Sequence, residues 1–143
     1  MKKIFLISCV SKKQDIKSKA SELYTSPLFK LNYKYAMTQT PDAIYILSAE
    51  YGLVKTDEEI APYDKTLNKM KSSEIKIWAS QILDSLKKLE NVNQCEFVIL
   101  AGEKYRRYIT SELPNHTIPL EGLGIGKQLQ KLNALIDAES SVA

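Results

Sequence analysis

Two carboxylates in the middle of the chain, Glu50 and Asp64, have a residue type and a setting that suit acid–base chemistry. Glu50 lies in L-S-A-E-Y-G-L, residues 47–53, directly after an apolar run, and Asp64 ends the sequence P-Y-D at residues 62–64. A carboxylate can activate water or stabilise positive charge that develops on a sugar. We therefore predict that one of the two is catalytic, and we prefer Asp64. The structural alternative for Asp64 is that it only caps a turn.

Polar and aromatic side chains accompany these carboxylates where other apolar runs end. Hydroxyls and backbone amides can hydrogen-bond a nucleobase, and aromatic rings can stack on it. The predicted substrate-binding residues are Ser8, Cys9, Lys12, Tyr24, Ser26, Ser48, Tyr51, Tyr63, Gly102, Tyr105, Glu121 and Gly124. Some also have a structural reading: Ser26 is expected to cap a helix, and Ser48 is expected to support the backbone of the turn that follows it.

Basic residues near the same segments could hold phosphates. The predicted nucleic-acid-binding residues are Lys13, Arg106, Arg107 and Lys127. Arginine binds phosphate with two parallel hydrogen bonds, and this chain has only two arginines, adjacent to each other and interleaved with tyrosines. An amphipathic helix with outward-facing arginines explains the same pattern. The formal charge of +3 permits a polyanionic partner without requiring one.

A glycine-rich segment, residues 119–128, precedes the last helical pattern. Three of the five glycines fall in it, at positions 122, 124 and 126. The spacing matches neither the dinucleotide-binding G-x-G-x-x-G nor a phosphate-binding G-K-[ST] loop. Glycine backbone at a helix start still lets a ligand approach closely, and the free amides there suit an oxyanion or a phosphate.

The two cysteines and the single histidine predict no metal site and no cofactor. Cys9 and Cys95 lie beside apolar runs and outside any C-x-x-C pattern, so neither a disulfide scaffold nor a zinc site is expected. Cys9 is not favoured as a nucleophile, because His116 is far along the chain and no other histidine could serve as its base.

Continuous apolar runs predict the strands that must position these residues. They cover residues 3–9, 43–48 and 96–101, with a weaker candidate at 116–120, and continuous runs are typical of strands buried on both faces. Helical patterns cover residues 26–39, 72–90, 103–113 and 124–138. The alternation predicts the α/β class: a three-layer domain with a mostly parallel central sheet of about four strands flanked by helices.

A single domain over residues 1–138 with a frayed tail at 139–143 is expected from this length. The basic and apolar N-terminus is interpreted as the first strand, since its apolar run is short for a signal peptide. No apolar run approaches the roughly 20 residues of a membrane helix, so a cytoplasmic protein without a membrane partner is expected. Two long connections, 10–25 and 49–71, follow strand ends, where open α/β sheets bind ligands.

Six ordered motifs resemble a family of small uncharacterised bacterial and phage domains. They are S-C-x-x-K-K, L-Y-x-S-x-L-F, L-S-A-x-Y-G-L, P-Y-D-x-T-L, L-A-G-x-x-Y and P-L-x-G-L-G-I-G-x-Q, across residues 3–128. The chain also resembles, more distantly, the YaaA-type peroxide-stress proteins, which bind DNA. A weaker similarity is to the lysine-adding domain of archaeosine synthase; Ser8 replaces its proline and no histidine follows Ser26. The resemblance implies a protein that binds DNA or acts on nucleobases.

The residues and the resemblance together favour a DNA glycosylase-like enzyme that removes a modified nucleobase, in a setting of phage defence. Such an enzyme hydrolyses an N-glycosidic bond in a base that has left the stack. Two alternatives stay open: a non-catalytic DNA-binding protein, and a transferase that modifies a base or a free nucleoside. The expected partner is DNA, or otherwise a nucleotide or nucleobase ligand, while the oligomeric state is not predicted.

Overall fold

A five-stranded sheet forms the centre of the structure, a computed structural model that describes residues 1–9 and 12–142. The described residues form seven strands, five in this sheet and two in a separate pair. They are β1 (Lys2–Ser8), β2 (Ser18–Lys19), β3 (Ala43–Ser48), β4 (Gly52–Lys55), β5 (Glu59–Ile60), β6 (Cys95–Leu100) and β7 (His116–Thr117). The central sheet has the order β4-β3-β1-β6-β7, and only β4 runs antiparallel to its neighbour. β2 and β5 form a separate antiparallel pair.

Five helices connect and cover the strands. They are α1 (Ala20–Leu23), α2 (Pro27–Thr38), α3 (Ser72–Leu89), α4 (Glu103–Arg106) and α5 (Ile125–Val142). α2 packs on β1 and on α5, whereas α3 packs on β4 and α4. The α/β class and the mostly parallel sheet are confirmed. The count of four strands is wrong, because β4 adds an antiparallel edge strand, and the three-layer arrangement stays an expectation.

The long strands are buried because helices and loops cover the sheet. Ile4, Phe5, Leu6 and Ile7 of β1 are all fully buried, which explains the absence of alternation in the sequence. β3 occupies the predicted residues 43–48, and β1 and β6 each begin one residue earlier than predicted. The weak candidate at 116–120 shortens to the two residues of β7.

The two long connections contain short elements rather than unstructured loop. β2 and α1 lie in the first, and β4, β5 and the 3₁₀ turn Leu67–Lys69 lie in the second. β4 turns back from β3 at Gly52, whose φ of +75° lies in the left-handed region that favours glycine. The two connections also pair with each other through β2 and β5.

The helix boundaries follow the predictions at some ends and differ at others. Ser26 caps α2, because the backbone N–H of Phe29 donates to its Oγ at 3.2 Å, as predicted. α3 begins after Lys71, whose N–H donates to Glu74 at 3.1 Å, and its first residue is the predicted residue 72. The predicted helix at 103–113 stops at Arg106, and a turn and the 3₁₀ segment Thr110–Glu112 follow.

The last helix is longer than the pattern indicated. α5 ends at Val142, beyond residue 138, because residues 127–142 contain neither glycine nor proline to stop it. Residue 143 lies outside the described residues. No helix in the described part of the chain is both long and apolar enough to cross a membrane.

Candidate functional site

A cavity of about 800 Å³ opens at the carboxyl ends of β1 and β6. From β1 the chain continues to β3 on one side, and from β6 it continues to β7 on the opposite side. The direction of the strand order therefore reverses between β1 and β6. Ligands of open α/β sheets bind in the crevice at such a reversal. The cavity volume also lies within the usual range for sites that hold small molecules.

Residues of five of the six motifs line this cavity, which we call the main cavity. They are Ser8 and Cys9 at the end of β1, Leu28 of α2, Thr66, the segment 100–105, and residues 120–123, 125 and 128; Arg106, the residue after the segment 100–105, also lines it. The remaining motif, L-S-A-E-Y-G-L, contributes no residue to the main cavity. Of the predicted binding residues, Ser8, Cys9, Gly102, Tyr105, Arg106 and Glu121 are thus brought together.

The motif L-S-A-E-Y-G-L lines a second cavity of about 460 Å³. Glu50, Tyr51 and Gly52 lie there with Trp78 of α3. Glu50 is exposed, and Asp64 is exposed on the loop before the 3₁₀ turn. Asp64 lines neither of these two cavities, although Thr66, two residues later, lines the main one. The two carboxylates therefore do not share a cavity.

A partly buried network of three hydroxyls lies where β3 ends. The hydroxyls of Tyr24 and Tyr63 are 2.6 Å apart, and Ser48 donates to the Tyr63 oxygen at 2.9 Å. Ser48 also accepts from the N–H of Tyr51 at 3.0 Å, so it supports the turn after β3 as predicted. Burial raises the pKa of Tyr24 to about 12 and raises that of Tyr63 further in the same direction. Both phenols therefore stay protonated near neutral pH.

Tyr105 connects the main cavity to the strand ends. The Cys9 thiol donates to its hydroxyl at 3.4 Å, and the N–H of Leu67 donates to the same oxygen at 3.4 Å. Cys9 Sγ accepts in turn from the N–H of Ala49 at 3.4 Å. Burial is the main cause that raises the pKa of Tyr105, and the neighbouring Cys9 adds to it. Tyr105 is therefore a neutral donor or acceptor at the cavity wall.

Lys13 lies over the aromatic part of the hydroxyl network. Its Nζ is 4.3 Å from the ring centroid of Tyr63 and 5.7 Å from that of Tyr24. Partial burial lowers the pKa of Lys13, and the charges of Cys9 and Asp64 oppose that shift. The carboxylate of Asp64, the residue after Tyr63, is therefore near enough to Lys13 to act on its pKa. Tyr24 is almost fully buried against Phe29, so its ring does not face solvent for stacking.

The two arginines make contacts within the chain. Arg106 donates from Nε to the carbonyl of Ala101 at 3.2 Å, and its Nη1 lies 3.8 Å from Glu121. Arg107 makes a two-point contact with Glu103, with a shortest distance of 2.6 Å. That contact lowers the pKa of Glu103. The carboxylates of Glu103 and Glu121 at the main cavity are therefore both paired with arginine.

The remaining predicted positions Lys12, Gly124 and Lys127 do not line the main cavity. Lys12 is exposed, and Lys127 is exposed in the first turn of α5. Gly122 has a φ of +80°. The carbonyl of Gly124 accepts from the N–H of Gln128 at 2.9 Å, so Gly124 directly precedes α5 as its N-cap residue. In the described part of the chain, no cluster of three His, Cys, Asp or Glu side chains is placed to hold a metal ion.

Asn32 is a cavity residue that the sequence motifs do not include. It lies on α2 and lines the main cavity, although it is only 5% exposed. Its Oδ1 has no hydrogen-bond partner among the residues that the structure describes. The signal was present in the sequence: Phe29, Asn32 and Ala36 fall on one helical stripe, and a polar residue inside a buried stripe requires a partner.

Comparison with known proteins gives one match. The model of the family of unknown function DUF6884 matches residues 4–134. No curated protein and no solved structure matches the chain. The family match fits the expectation of a small uncharacterised domain, and it does not support the resemblance to YaaA-type proteins or to archaeosine synthase. Because the match covers nearly the whole chain, the protein belongs to the family of unknown function DUF6884.

Proposed function

We propose that this protein acts on nucleobases and hydrolyses the N-glycosidic bond of a modified base in DNA. The observation that carries the proposal is the convergence of five separate motifs on one cavity at the ends of β1 and β6. That cavity is large enough for a base with its sugar. Its wall combines apolar surface and neutral donors with the arginine-paired carboxylates of Glu103 and Glu121, and a few polar groups in an apolar wall can orient a heterocycle.

The reaction breaks the bond between the base nitrogen and C1′ of the sugar. Water supplies a hydroxyl group to C1′ and a proton to the departing base, so the products are a free base and an abasic sugar. Positive charge develops on the sugar and negative charge on the base. Neutral donors at the cavity, such as the Tyr105 hydroxyl and backbone amides near Gly102, suit the second charge.

Asp64 is our preferred carboxylate for the sugar side. Glu50 lines the second cavity, whereas Asp64 is beside Lys13 on the loop that continues to Thr66 at the main cavity. An exposed carboxylate at this rim can contact the sugar of an extruded nucleotide, while the base enters the cavity. Lys12, Lys13 and Lys127 would hold the adjacent phosphates.

Ile125 supports DNA over a free nucleoside as the substrate. This side chain is 67% exposed, begins α5 and lines the main cavity. Proteins that extrude or unstack bases insert apolar side chains of this kind into the duplex. An exposed isoleucine at the rim of a base cavity could fill the space that the extruded base leaves.

The test is release of a base from DNA. Duplex and single-stranded DNA carrying a panel of modified bases are incubated with the protein, and abasic sites and free bases are measured. We expect release of at least one base, loss of that release in Asp64→Asn, and retention of it in Asp57→Asn, a control in the same connection. The absence of release from every substrate, or full release by Asp64→Asn, would contradict the proposal.

A non-catalytic DNA-binding protein is the alternative that one observation favours. Neither Glu50 nor Asp64 lines the main cavity, and a binding protein needs no carboxylate there. Binding would then weaken with salt and depend on Lys12 and Lys127. A gel-shift assay and the base-release assay, both run on Lys127→Ala and Asp64→Asn, separate the two functions. An enzyme loses base release in Asp64→Asn while it still binds DNA, whereas a binding protein releases no base even without substitution.

A further inference from the structure

Asn32 presents an unsatisfied acceptor in a buried position. The residue is on the inner stripe of α2, between Phe29 and Ala36, and 5% of it is exposed. Its Oδ1 lacks a hydrogen-bond partner within residues 1–9 and 12–142. Buried polar atoms are nearly always paired, because an unpaired one has lost its bonds to water without replacement. An exception of this kind calls for a partner beyond the residues that the structure describes.

The surroundings of Asn32 favour a ligand as that partner. The residue lines the main cavity, together with the apolar side chains of Leu28, Ile118 and Leu120. Small-molecule sites typically combine such an apolar wall with a few polar groups that set the orientation of the ligand. A hydrogen bond from a ligand to Oδ1 would form away from bulk water, where its absence is most costly.

Another amide on this cavity has its hydrogen bond already. Gln128 of α5 also lines the main cavity, but its Nε2 donates to the carbonyl of Leu123 at 2.8 Å. Gln128 therefore holds the glycine-rich segment in place, whereas Asn32 holds no part of the protein through Oδ1. The two side chains have the same chemistry and differ in whether they are satisfied, so they form a matched pair for experiment.

We propose that Asn32 is the base-recognition residue of this cavity. Its carboxamide pairs with the edge of a nucleobase that presents an N–H donor beside an acceptor, and Oδ1 receives that N–H. A side-chain carboxamide offers one acceptor and two donors, so it matches such an edge with two hydrogen bonds. This inference rests on the proposed function, and it names the substrate class as bases whose recognition edge has a free N–H.

A base whose edge N–H is blocked should therefore be excluded. Methylation of that nitrogen removes the donor and places a methyl group against Oδ1, which leaves the buried acceptor unpaired in the complex. For this reason, a site that hydrogen-bonds a group of its ligand strongly rejects analogues that lack that group. We expect uracil and hypoxanthine to be distinguished from 3-methyluracil and 1-methylhypoxanthine.

The experiment measures stability and base binding on the same variants. Asn32→Leu and Gln128→Leu each replace an amide with an apolar side chain, and Asn32→Ala serves as a second variant that cannot overpack. Thermal unfolding is measured without ligand. Binding of adenine, cytosine, uracil, hypoxanthine and the two methylated bases is measured by calorimetry.

The expected result is opposite for the two amides. Asn32→Leu unfolds at a temperature equal to or above that of the unmodified protein, because it removes an unsatisfied buried oxygen, while Gln128→Leu unfolds at a lower one. At least one unmethylated base binds the unmodified protein and binds both Asn32 variants at least about tenfold more weakly. Its methylated counterpart, where one is tested, binds weakly to all of them.

Three results would overturn the inference. They are a fall in unfolding temperature for Asn32→Leu as large as that for Gln128→Leu, equal base binding by the Asn32 variants, or no binding of any base in the panel. Base binding without base release would refute hydrolysis and leave this recognition residue in place. Base release by both Asn32 variants at the unmodified rate would refute the role of Asn32 and leave hydrolysis in place.

Discussion

The hydroxyl oxygens of Tyr24 and Tyr63 lie 2.6 Å apart, although 39 positions separate these residues in the chain. One follows α1 and the other lies on the loop after β5, so the pair joins the two long connections next to the strand ends. Ser48 at the end of β3 adds a third hydroxyl, 2.9 Å from that of Tyr63. The loops that carry the candidate site are therefore tied to the sheet through one phenol.

Replacement of the central phenol should destabilise the protein. Tyr63→Phe leaves the hydroxyls of Tyr24 and Ser48 without their shared partner, and we expect a loss of about 1–3 kcal/mol in the free energy of unfolding. Tyr51→Phe is the control, since its half-exposed phenol donates to Ala61 near solvent; its expected effect is within about 0.5 kcal/mol. Urea unfolding measures both, and equal effects would contradict the importance of the network.

Alkaline pH should weaken the folded state through the same phenols. Burial raises the pKa of Tyr24 from 10.0 to about 12, and it raises those of Tyr63 and Tyr105. A folded-state pKa above the unfolded value contributes stability that is complete below pH 10.0 and is lost as the pH approaches 12 for Tyr24. Urea unfolding at increasing pH, with tyrosinate absorbance, should show stability that falls above pH 10.0, and a smaller fall in Tyr24→Phe.

The turn after β3 depends on a backbone conformation that suits glycine. Gly52 has a φ of +75°, and an added Cβ would meet Ile82 Cδ1 at 3.9 Å, so the strain of Gly52→Ala comes from the backbone rather than from a clash. We expect it to lower the free energy of unfolding by about 1–2 kcal/mol. Gly126→Ala, in the first turn of α5 with open space around it, should instead raise stability by about 0.5–1 kcal/mol. A neutral Gly52→Ala would show that the turn relaxes.

Ile125 should matter more for duplex DNA than for single strands. If it occupies the space left by an extruded base, Ile125→Ala reduces base release from a duplex at least about threefold and leaves release from a single strand unchanged. Ile77→Ala is a matched control, because Ile77 is a similarly exposed isoleucine that lines the second cavity on α3. Equal losses on both substrates would assign Ile125 to general binding instead.

The sequence predicted the long strands, and the structure explains why it missed the short ones. Continuous apolar runs mark β1, β3 and β6 because both faces of these strands are buried. β4 and β5 have four and two residues within a polar connection, so no periodicity reveals them. The helix predicted at 103–113 ends early, and residues 108–110 are an aromatic and two β-branched residues, which favour helix weakly.

The candidate site could be predicted where it follows the strand ends and not where it depends on tertiary pairing. Ser8 ends β1, Cys9 follows it, and Gly102 comes two residues after β6, and the parallel sheet brings them to one cavity. The partition of Glu50 into a second cavity follows from the antiparallel turn into β4, which the sequence did not reveal. The place of Asn32 in the main cavity could not be predicted, because the sequence does not tell which face of α2 is covered.

The indole of Trp78 donates from Nε1 to the carbonyl of Ser48 at 3.0 Å, and its ring meets that of Tyr105 edge to face at 5.6 Å. Trp78 is the only tryptophan in the chain. It borders the second cavity, and it touches the residue that walls the main one. Trp78 is therefore a native fluorophore between the main cavity and the second cavity. We expect a ligand in either of these cavities to change the emission of Trp78, so that binding is followed without a label.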